Sequence, residues 1–301
     1  METVRSQRLD QLLVVRGLAR SRAAAAELIA KGKVTVDGKL ANKASQLVGL
    51  TADIKAASEP TTASRAAHKL SGALAALNRT EIAPIIQGKD CLDLGASTGG
   101  FTEVLLNAGA RQVIALDVGH NQLLPGLRAD NRVIVMEGVN ARYLTPEQLP
   151  YLPEIITADL SFISLSLIIP AIGKIAKQNA SVLLLIKPQF EVGKELLGKG
   201  GVVRDNQQIA EAIIQVTNSA IENDILPIAL IPSPLPGPAG NREFFLYGSL
   251  SRNPAHAING ANYRANLAKA ATTAAIWQPT ESFLPPAIML PGGANCPASG
   301  T

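Results

Sequence analysis

A glycine-rich stretch at residues 90–102, DCLDLGASTGGFT, is the part of the sequence most typical of a binding site. An apolar run that predicts a buried parallel strand ends at Asp93, and small residues lead into a predicted helix at about Gly100. In doubly wound sheets, ligands bind beside such loops, outside the carboxyl ends of the strands. Glycines there let the backbone adopt unusual dihedral angles and let a ligand approach closely.

The order of the glycines narrows the class of ligand. Gly95, Gly99 and Gly100 follow G-x-x-x-G-G, which is neither the dinucleotide fingerprint nor a P-loop, because no Gly-Lys-Ser/Thr follows. A second predicted strand, at 112–116, ends at Asp117, where a carboxylate is placed to bind ribose hydroxyls. This combination favours S-adenosylmethionine, and the alternative is a glycine-rich turn of another nucleotide enzyme.

The predicted cofactor-binding residues come from the glycine-rich loop, the end of the second strand and a loop after the third predicted strand. They are Asp93, Gly95, Ala96, Ser97, Gly99, Gly100, Phe101, Asp117, Val118 and Asn140. Asn140 is assigned by position only, because it follows a strand predicted at 133–136, where a loop contacting adenine would lie.

Ionisable side chains lie at the ends of further predicted strands. Asp159 and Lys187 end adjacent predicted strands, and Glu243 opens the last one. Lys69 lies in a helix ahead of the sheet and, taken alone, would be interpreted as a surface lysine. Strands and helices alternate from 90 to 248, which predicts a mostly parallel sheet with helices on both faces.

The basic residues are concentrated near the N-terminus. The 301-residue chain has a formal net charge of +4, but residues 1–50 contain nine Lys/Arg and only four Asp/Glu. This asymmetry predicts a polyanion-binding module in that segment, and the alternative is a solvated basic face.

The small number of cysteines and the short apolar stretches argue against a disulfide-rich, metal-binding or membrane-spanning protein. Cys91 and Cys296 are too few for a disulfide framework or a metal site. No signal peptide is visible, and no apolar stretch is long enough to span a bilayer. We therefore expect a cytoplasmic enzyme without a metal or a membrane partner.

The N-terminal segment carries the pattern of a known RNA-binding domain. Two predicted helices precede a hairpin with Asp37-Gly38 at its turn. R-L-D-x-x-L, G-L-A-R-S-R-x-x-A and I-x-x-G-K-V-x-V-D-G span about residues 7–45 and resemble the small domain first described in ribosomal protein S-four. That domain grips structured RNA mainly through phosphates, which gives affinity rather than sequence reading. The resemblance implies that RNA is contacted by Arg8, Arg16, Arg20, Arg22, Lys31, Lys33 and, beyond the domain, Arg65.

Six blocks in order give a second resemblance, which covers about residues 5–250 together with the N-terminal domain. The blocks are SRAAHKL at 64–70, LDLGASTGGFTEVLL at 92–106, ALDVGHNQL at 115–123, ADLSFISL at 158–165, KPQFEVGK at 187–194 and PGPAGNRE at 236–243. They resemble the hemolysin-A-type (TlyA) ribosomal RNA methyltransferases, which have a catalytic domain of the FtsJ type. The resemblance implies a Rossmann-like methyltransferase sheet with a small N-terminal α+β RNA-binding domain.

The same resemblance implies an activity and a catalytic set. The family transfers a methyl group from S-adenosylmethionine to the ribose 2′-hydroxyl of cytidine in 16S rRNA, 23S rRNA or both. Its Lys-Asp-Lys-Glu set falls on Lys69, Asp159, Lys187 and Glu243. The implied partners are ribosomal RNA or ribosomal subunits. The alternatives are an RNA-binding ribosome-assembly protein without catalysis, an indirectly acting hemolysin, and a methyltransferase of small molecules or proteins.

These four residues suit attack by a ribose hydroxyl, which is a poor nucleophile and must lose its proton as it reacts. A lysine acts as a base only where burial and a second cation favour its neutral form. Lys187, with Lys69 nearby, is the preferred base, and Asp159 and Glu243 would orient the lysines. In the alternative, the set only positions the hydroxyl in line, and water takes the proton.

The predicted domain organisation has four parts. Residues 5–50 form the RNA-binding domain, 51–63 a linker and 64–250 the methyltransferase domain. Residues 251–301 are poor in charge and rich in Ala, Pro, Gly and Asn, which predicts a low-complexity, poorly ordered tail with one short helix near 262–276.

Overall fold

The computed structural model describes residues 6–16, 18–19, 22–56, 65–198, 200–251, 261–278 and 284–291. Two compact units divide the chain, Met1–Thr61 and Thr62–Thr301. Arg20 and residues 57–63 of the predicted linker lie outside the described residues. In the described ranges, no helix combines the length and apolar character needed to cross a bilayer.

The first unit contains two helices and two small antiparallel sheets. Its elements are β1 (Ser6–Arg8), α1 (Leu9–Val15), α2 (Arg22–Ala30), β2 (Val34–Val36), β3 (Lys39–Leu40), β4 (Leu47–Gly49) and β5 (Ile54–Ala56). β1 pairs with β4, and β2 lies between β3 and β5. Asp37 and Gly38 both have positive φ, 49° and 77°, as the tight hairpin between β2 and β3 requires. Leu9, Leu13 and Val34 are fully buried in the small core.

One eight-stranded sheet organises the second unit. Its strands are β6 (Asp90–Leu94), β7 (Gln112–Asp117), β8 (Val133–Glu137), β9 (Ile155–Ala158), β10 (Ser181–Ile186), β11 (Ile225–Pro232), β12 (Phe244–Leu250) and β13 (Ile288–Met289). Their spatial order is β13-β11-β12-β10-β9-β6-β7-β8. The strands from β8 to β10 run parallel, whereas β12 is antiparallel to both of its neighbours and β13 is antiparallel to β11.

Helices cover both faces of this sheet. They are α3 (Arg65–Leu77), α4 (Gly100–Asn107), α5 (Pro125–Arg128), α6 (Ile169–Ile175), α7 (Pro188–Glu191), α8 (Asn206–Glu222) and α9 (Ala261–Ile276). Alternate residues of β10 enter two separate cores: Leu183 packs with residues of α3 and α4, and Leu184 packs with residues of α6, α8 and α9. A strand buried on both faces is apolar throughout, which explains its uninterrupted apolar sequence. The predicted α/β fold class is confirmed.

The helix expected near 262–276 in the C-terminal segment is present as α9 (Ala261–Ile276). Helix α9 packs against α8, and Leu267 and Ala271 are buried in the same core as the sheet. Farther on, Ile288 and Met289 pair with β11 as an eighth strand. Alanine contributes little apolar character per residue, yet its small side chain lets α9 and α8 approach closely.

Gly72 tests how α3 packs against Pro234 within the second unit. A Cβ at this position would lie 2.5 Å from Cγ of Pro234. Alanine is favoured over glycine in a helix by about 1 kcal/mol, but overpacking against a rigid proline ring costs about 1–3 kcal/mol. We expect Gly72→Ala to lower the free energy of unfolding, measured by urea denaturation. Gly126→Ala in α5 is the matched control, because nothing lies within 4 Å of the added Cβ. A Gly72→Ala variant as stable as Gly126→Ala would contradict this account of the packing.

Candidate active site

The carboxyl ends of the parallel strands form the edge where the predicted site residues meet. β6 leads into the glycine-rich loop, β7 ends at Asp117, β9 is followed by Asp159, and β10 by Lys187. Glu243 reaches this edge from the opposite direction. Because β12 is antiparallel to β10 and Phe244 pairs with Ile186, the residue before β12 lies beside the residue after β10.

Two buried ion pairs occupy this edge. Lys69 Nζ lies 2.6 Å from Glu243 Oε2, and Lys187 Nζ lies 2.7 Å from Asp159 Oδ1. Lys69, Lys187 and Glu243 are only 6%, 7% and 2% exposed. Burial raises the pKa of Glu243, and the positive charges of Lys69 and Lys187 oppose this rise. The structure therefore brings all four predicted catalytic residues into one electrostatic cluster, in which each lysine is matched by a carboxylate.

Sequence reasoning missed several groups around Lys187. Its Nζ donates to Ser161 Oγ at 2.9 Å and lies 5.9 Å from the centre of the Phe190 ring. The Phe190 ring is in turn 5.4 Å from that of Phe162. Phe162 is 92% exposed and has φ of 63°, a strained conformation for a residue with a side chain. These residues flank Asp159 and Lys187 within the blocks ADLSFISL and KPQFEVGK, and that adjacency was the available signal.

The glycine-rich loop is shaped by close approaches. Gly95 has φ of 81°, and a Cβ there would lie 2.7 Å from the carbonyl oxygen of Asp159. Gly99 has φ of 98° and is the N-cap of α4, where no side chain caps the helix. Asp117 accepts hydrogen bonds from the backbone N–H groups of Ser97 and Gly119, both at 2.8 Å. The loop is thereby fixed against the end of β7, and Gly99 offers no side chain that could cap α4.

Three predicted cofactor-binding positions present exposed groups beside this loop. Ser97 and Asn140 are exposed, and so is Val118, an apolar side chain next to the half-buried carboxylate of Asp117. Asn140 Oδ1 accepts from the N–H of Arg142 at 3.0 Å. A carboxylate beside an exposed apolar side chain fits a ribose and an attached base. These residues therefore fit an S-adenosyl cofactor.

Other predicted cofactor-binding positions lie beneath the loop. Asp93 is fully buried, and its carboxylate accepts hydrogen bonds from Thr102 Oγ1 at 2.7 Å and Thr157 Oγ1 at 3.1 Å. Burial raises its pKa to about 7. Phe101 packs against Phe245 in the core. Asp93 and Phe101 therefore brace the loop from below, and Ala96 and Gly100 are buried as well.

Several predicted RNA-binding arginines make contacts within the first unit. Arg8 and Arg22 both pair with the buried Asp10, at 2.9 and 3.1 Å. The hydrogen bond from Arg8, and to a smaller extent that from Arg22, lowers the pKa of Asp10 to about 2. Arg16 donates to the carbonyl oxygens of Leu50 and Ala52, each at 2.7 Å. Arg16 therefore stabilises the fold of the first unit by bonding α1 to the 50–52 turn. Arg8 and Arg22, in contrast, keep part of their side chains exposed at the surface.

The remaining basic candidates lie in both units. Lys31 is exposed and pairs with Glu27 at 2.8 Å, one helical turn earlier, and Lys33 is half-buried. In the second unit, Arg65 donates to the carbonyl oxygen of Pro236 at 3.1 Å. This contact places Arg65 beside the 236–243 segment that ends in Glu243.

Comparison with known proteins gives two family matches. An FtsJ-like methyltransferase model matches residues 62–250, and an S4 domain model matches residues 7–54. The chain is 49% identical over 245 residues to the 16S/23S rRNA (cytidine-2′-O)-methyltransferase TlyA of Mycobacterium tuberculosis, which covers 81% of this chain and 90% of the relative. It is 37% identical over 242 residues to Hemolysin A of Brachyspira hyodysenteriae, with 80% and 98% covered. A solved structure named as a hemolysin of Streptococcus thermophilus is 33% identical, covers 90% of this chain and 96% of its own, and has a TM-score of 0.66.

The raised pKa of Asp93 predicts a pH-dependent stability. The folded chain keeps a proton on Asp93 up to about pH 7, whereas an unfolded aspartate releases it near pH 4. The stability that this group contributes is therefore full below about pH 4 and is lost as the pH rises to about 7. Asp93→Asn lacks this loss, so we expect its free energy of unfolding to rise relative to wild type between these two pH values. Urea denaturation across a pH series measures the difference, and a difference independent of pH would contradict the assignment.

Proposed function

This chain belongs to the TlyA family of rRNA methyltransferases, and we propose that it methylates the ribose 2′-hydroxyl of cytidine in 16S rRNA, 23S rRNA or both. The observation that carries the proposal is the pair of buried ion pairs, Lys69–Glu243 and Lys187–Asp159, beside the glycine-rich loop. Together they provide two cations and two hydrogen-bond acceptors next to the end of the cofactor loop. We expect the protein to act in the cytoplasm, where ribosomal RNA is found.

The residues that would hold S-adenosylmethionine lie at the ends of β6, β7 and β8. We assign the backbone of residues 95–100, Asp117 for the ribose hydroxyls, and Val118 and Asn140 for the adenine. The cofactor supplies an electrophilic methyl group on a sulfonium, whose C–S bond breaks as the ribose oxygen attacks. The N-terminus of α4, which has no side-chain cap from Gly99, suits the carboxylate of the methionine part.

The catalytic role that we assign to the four ionisable residues is positioning of the 2′-hydroxyl. Lys187 Nζ lies 2.7 Å from Asp159 Oδ1 and 2.9 Å from Ser161 Oγ, so its direction is fixed by two neighbours. In this role Lys187 donates to the hydroxyl oxygen and holds it in line with the methyl group, with Asp159 and Ser161 fixing the direction of Nζ. The hydroxyl proton leaves to water as the bond forms, and alignment of this kind can supply several kcal/mol.

Phe162 and Phe190 offer a surface for the base of the target nucleotide. Sequence-specific proteins stack unpaired RNA bases on aromatic side chains. The 92% exposed ring of Phe162 lies on the loop that also carries Asp159 and Ser161. We therefore assign the stacking of the cytosine to Phe162, with Phe190 supporting its ring from the protein side.

The first unit would supply affinity for rRNA through phosphate contacts. Such contacts release counterions and make binding depend on salt. Lys31 and Lys33 at the end of α2 remain the best candidates, together with the outer parts of Arg8 and Arg22. An exposed pair such as Lys31–Glu27 is worth little and can exchange for a phosphate.

Methyl transfer to separated ribosomal subunits tests the activity. With tritiated S-adenosylmethionine, we expect label in 2′-O-methylcytidine of wild-type reactions. Lys187→Met removes the ammonium group while keeping the stem, and should lower the rate at least ~100-fold. Lys174→Met, at an exposed lysine of α6, is the matched control and should leave the rate unchanged.

The possible outcomes of this assay distinguish a methyltransferase from a ribosome-assembly protein without catalysis. The subunit that takes up label identifies the target RNA. A wild-type protein that binds rRNA tightly but transfers no methyl group would contradict the enzyme and favour a ribosome-assembly role. A fully active Lys187→Met variant would refute the role given to Lys187.

Salt dependence tests the RNA-binding role of the first unit. We expect Lys31→Ala to weaken binding to rRNA and to reduce the slope of log K against log salt by about 1, as for one lost phosphate contact. Binding would be measured by filter retention over a salt series, with Lys174→Ala as the control. Equal slopes for the two variants would place the phosphate contacts elsewhere.

A further inference from the structure

Glu191 ends α7, the single helical turn that follows Lys187 directly. It is 9% exposed, and its carboxylate makes two hydrogen bonds. Oε2 accepts from Ser164 Oγ at 2.5 Å, and Oε1 accepts from the backbone N–H of Leu165 at 2.8 Å. Both donors lie in the segment that follows Asp159. Glu191 therefore links the loop after β9 to the helix after β10.

The linked loop carries three groups of the candidate site. Asp159 and Ser161 hold Lys187 Nζ, and Phe162 presents its exposed ring beside Phe190. The N–H of Asp159 is bonded to the carbonyl oxygen of Leu94, but among the described residues no N–H of 160–164 donates to a backbone carbonyl. The course of this loop, including the positive φ of Phe162, thus depends on side-chain contacts.

We propose that Glu191 is a positioning residue for methyl transfer. By holding Ser164 and Leu165, it fixes the loop so that Asp159 and Ser161 reach Lys187 and the Phe162 ring stays beside Phe190. Glu191 touches no reacting atom and acts through these residues. This inference rests on the proposed function, because the groups that it positions are assigned there.

A purely stabilising role explains the residue less well. Burying a carboxylate is costly, and apolar residues of similar volume often stabilise a protein as well or better. Both bonds of Glu191 go to a single segment, and that segment is the one holding three site groups. Contacts at the two ends of α7, Lys187 with Asp159 and Glu191 with Leu165, thus hold the loop at both of its ends.

Kinetics of three variants test the link. Glu191→Ala should lower kcat for rRNA methylation ~100-fold, as expected for displaced reacting groups, and leave the Kd for S-adenosylmethionine unchanged because the cofactor loop lies on β6 and β7. Glu191→Gln keeps an acceptor for the N–H of Leu165 and should restore most of the rate. Glu211→Ala, at an exposed glutamate of α8, is the matched control and should behave as wild type.

A double-mutant cycle and amide exchange provide readouts that a general loss of stability would not produce. Ser164→Ala removes the same link from the other side, so the double variant should be no slower than Glu191→Ala alone. In the cofactor-free protein, Glu191→Ala should speed hydrogen exchange across 160–166 and leave residues 95–100 unchanged. The exchange measurement does not depend on catalysis. It therefore tests whether Glu191 holds the 160–166 loop even if the wild-type protein is inactive and the proposed function fails.

Two results would overturn the inference. One is a folded Glu191→Ala variant with wild-type kcat and unchanged exchange at 160–166. If that variant does not fold, Ser164→Ala decides, and wild-type kcat together with unchanged exchange at 160–166 in that variant would equally overturn the inference.

Discussion

Two lysines and two carboxylates are withdrawn from water at one end of the large sheet, and only their pairing offsets the cost of removing them. The pairing depends on the antiparallel β12, which delivers Glu243 to the same edge that β9 and β10 reach from the other direction. Helix α3 must then lie close enough for Lys69 to reach Glu243. A sheet made only of parallel strands would place the start of its last strand at the opposite edge, so the reversed strand is what allows the four charges to meet.

Close backbone approaches set the distances inside this arrangement. A Cβ at Gly237 would lie 2.5 Å from Glu243 Oε1, and one at Gly95 would lie 2.7 Å from the carbonyl oxygen of Asp159. The first contact packs the 236–243 segment against the Glu243 carboxylate. The second places the cofactor loop directly against the start of the loop that carries Ser161 and Phe162. The glycine-rich loop and the loop after β9 are therefore in backbone contact, which the absence of a side chain at Gly95 makes possible.

Local pattern predicted the strands well, because runs buried on both faces are apolar and end in the functional residue. The strands predicted at 112–116 and 133–136 are observed at Gln112–Asp117 and Val133–Glu137. Sequence could not tell that Asp93 turns inward to two threonines, since a strand buried on both faces gives no sign of the direction of each side chain. Nor could it separate Arg16, bonded to two carbonyl oxygens, from a surface arginine, because that distinction depends on contacts 34 and 36 residues away. The strained, exposed Phe162 also escaped, since its conformation is set by the surrounding loop.

The short strand β13 also affects the tendency of this protein to self-associate. β11 is apolar and buried along its whole length, and an uncovered strand of that kind is a template on which a strand of another molecule can add. Ile288 and Met289 occupy part of that edge with residues of the same chain. Loss of β13 would leave Lys69, Asp159, Lys187 and Glu243 in the chain and yet uncover a strand edge for self-association. Loss of this segment would therefore cause aggregation of the protein before it lowered the turnover rate.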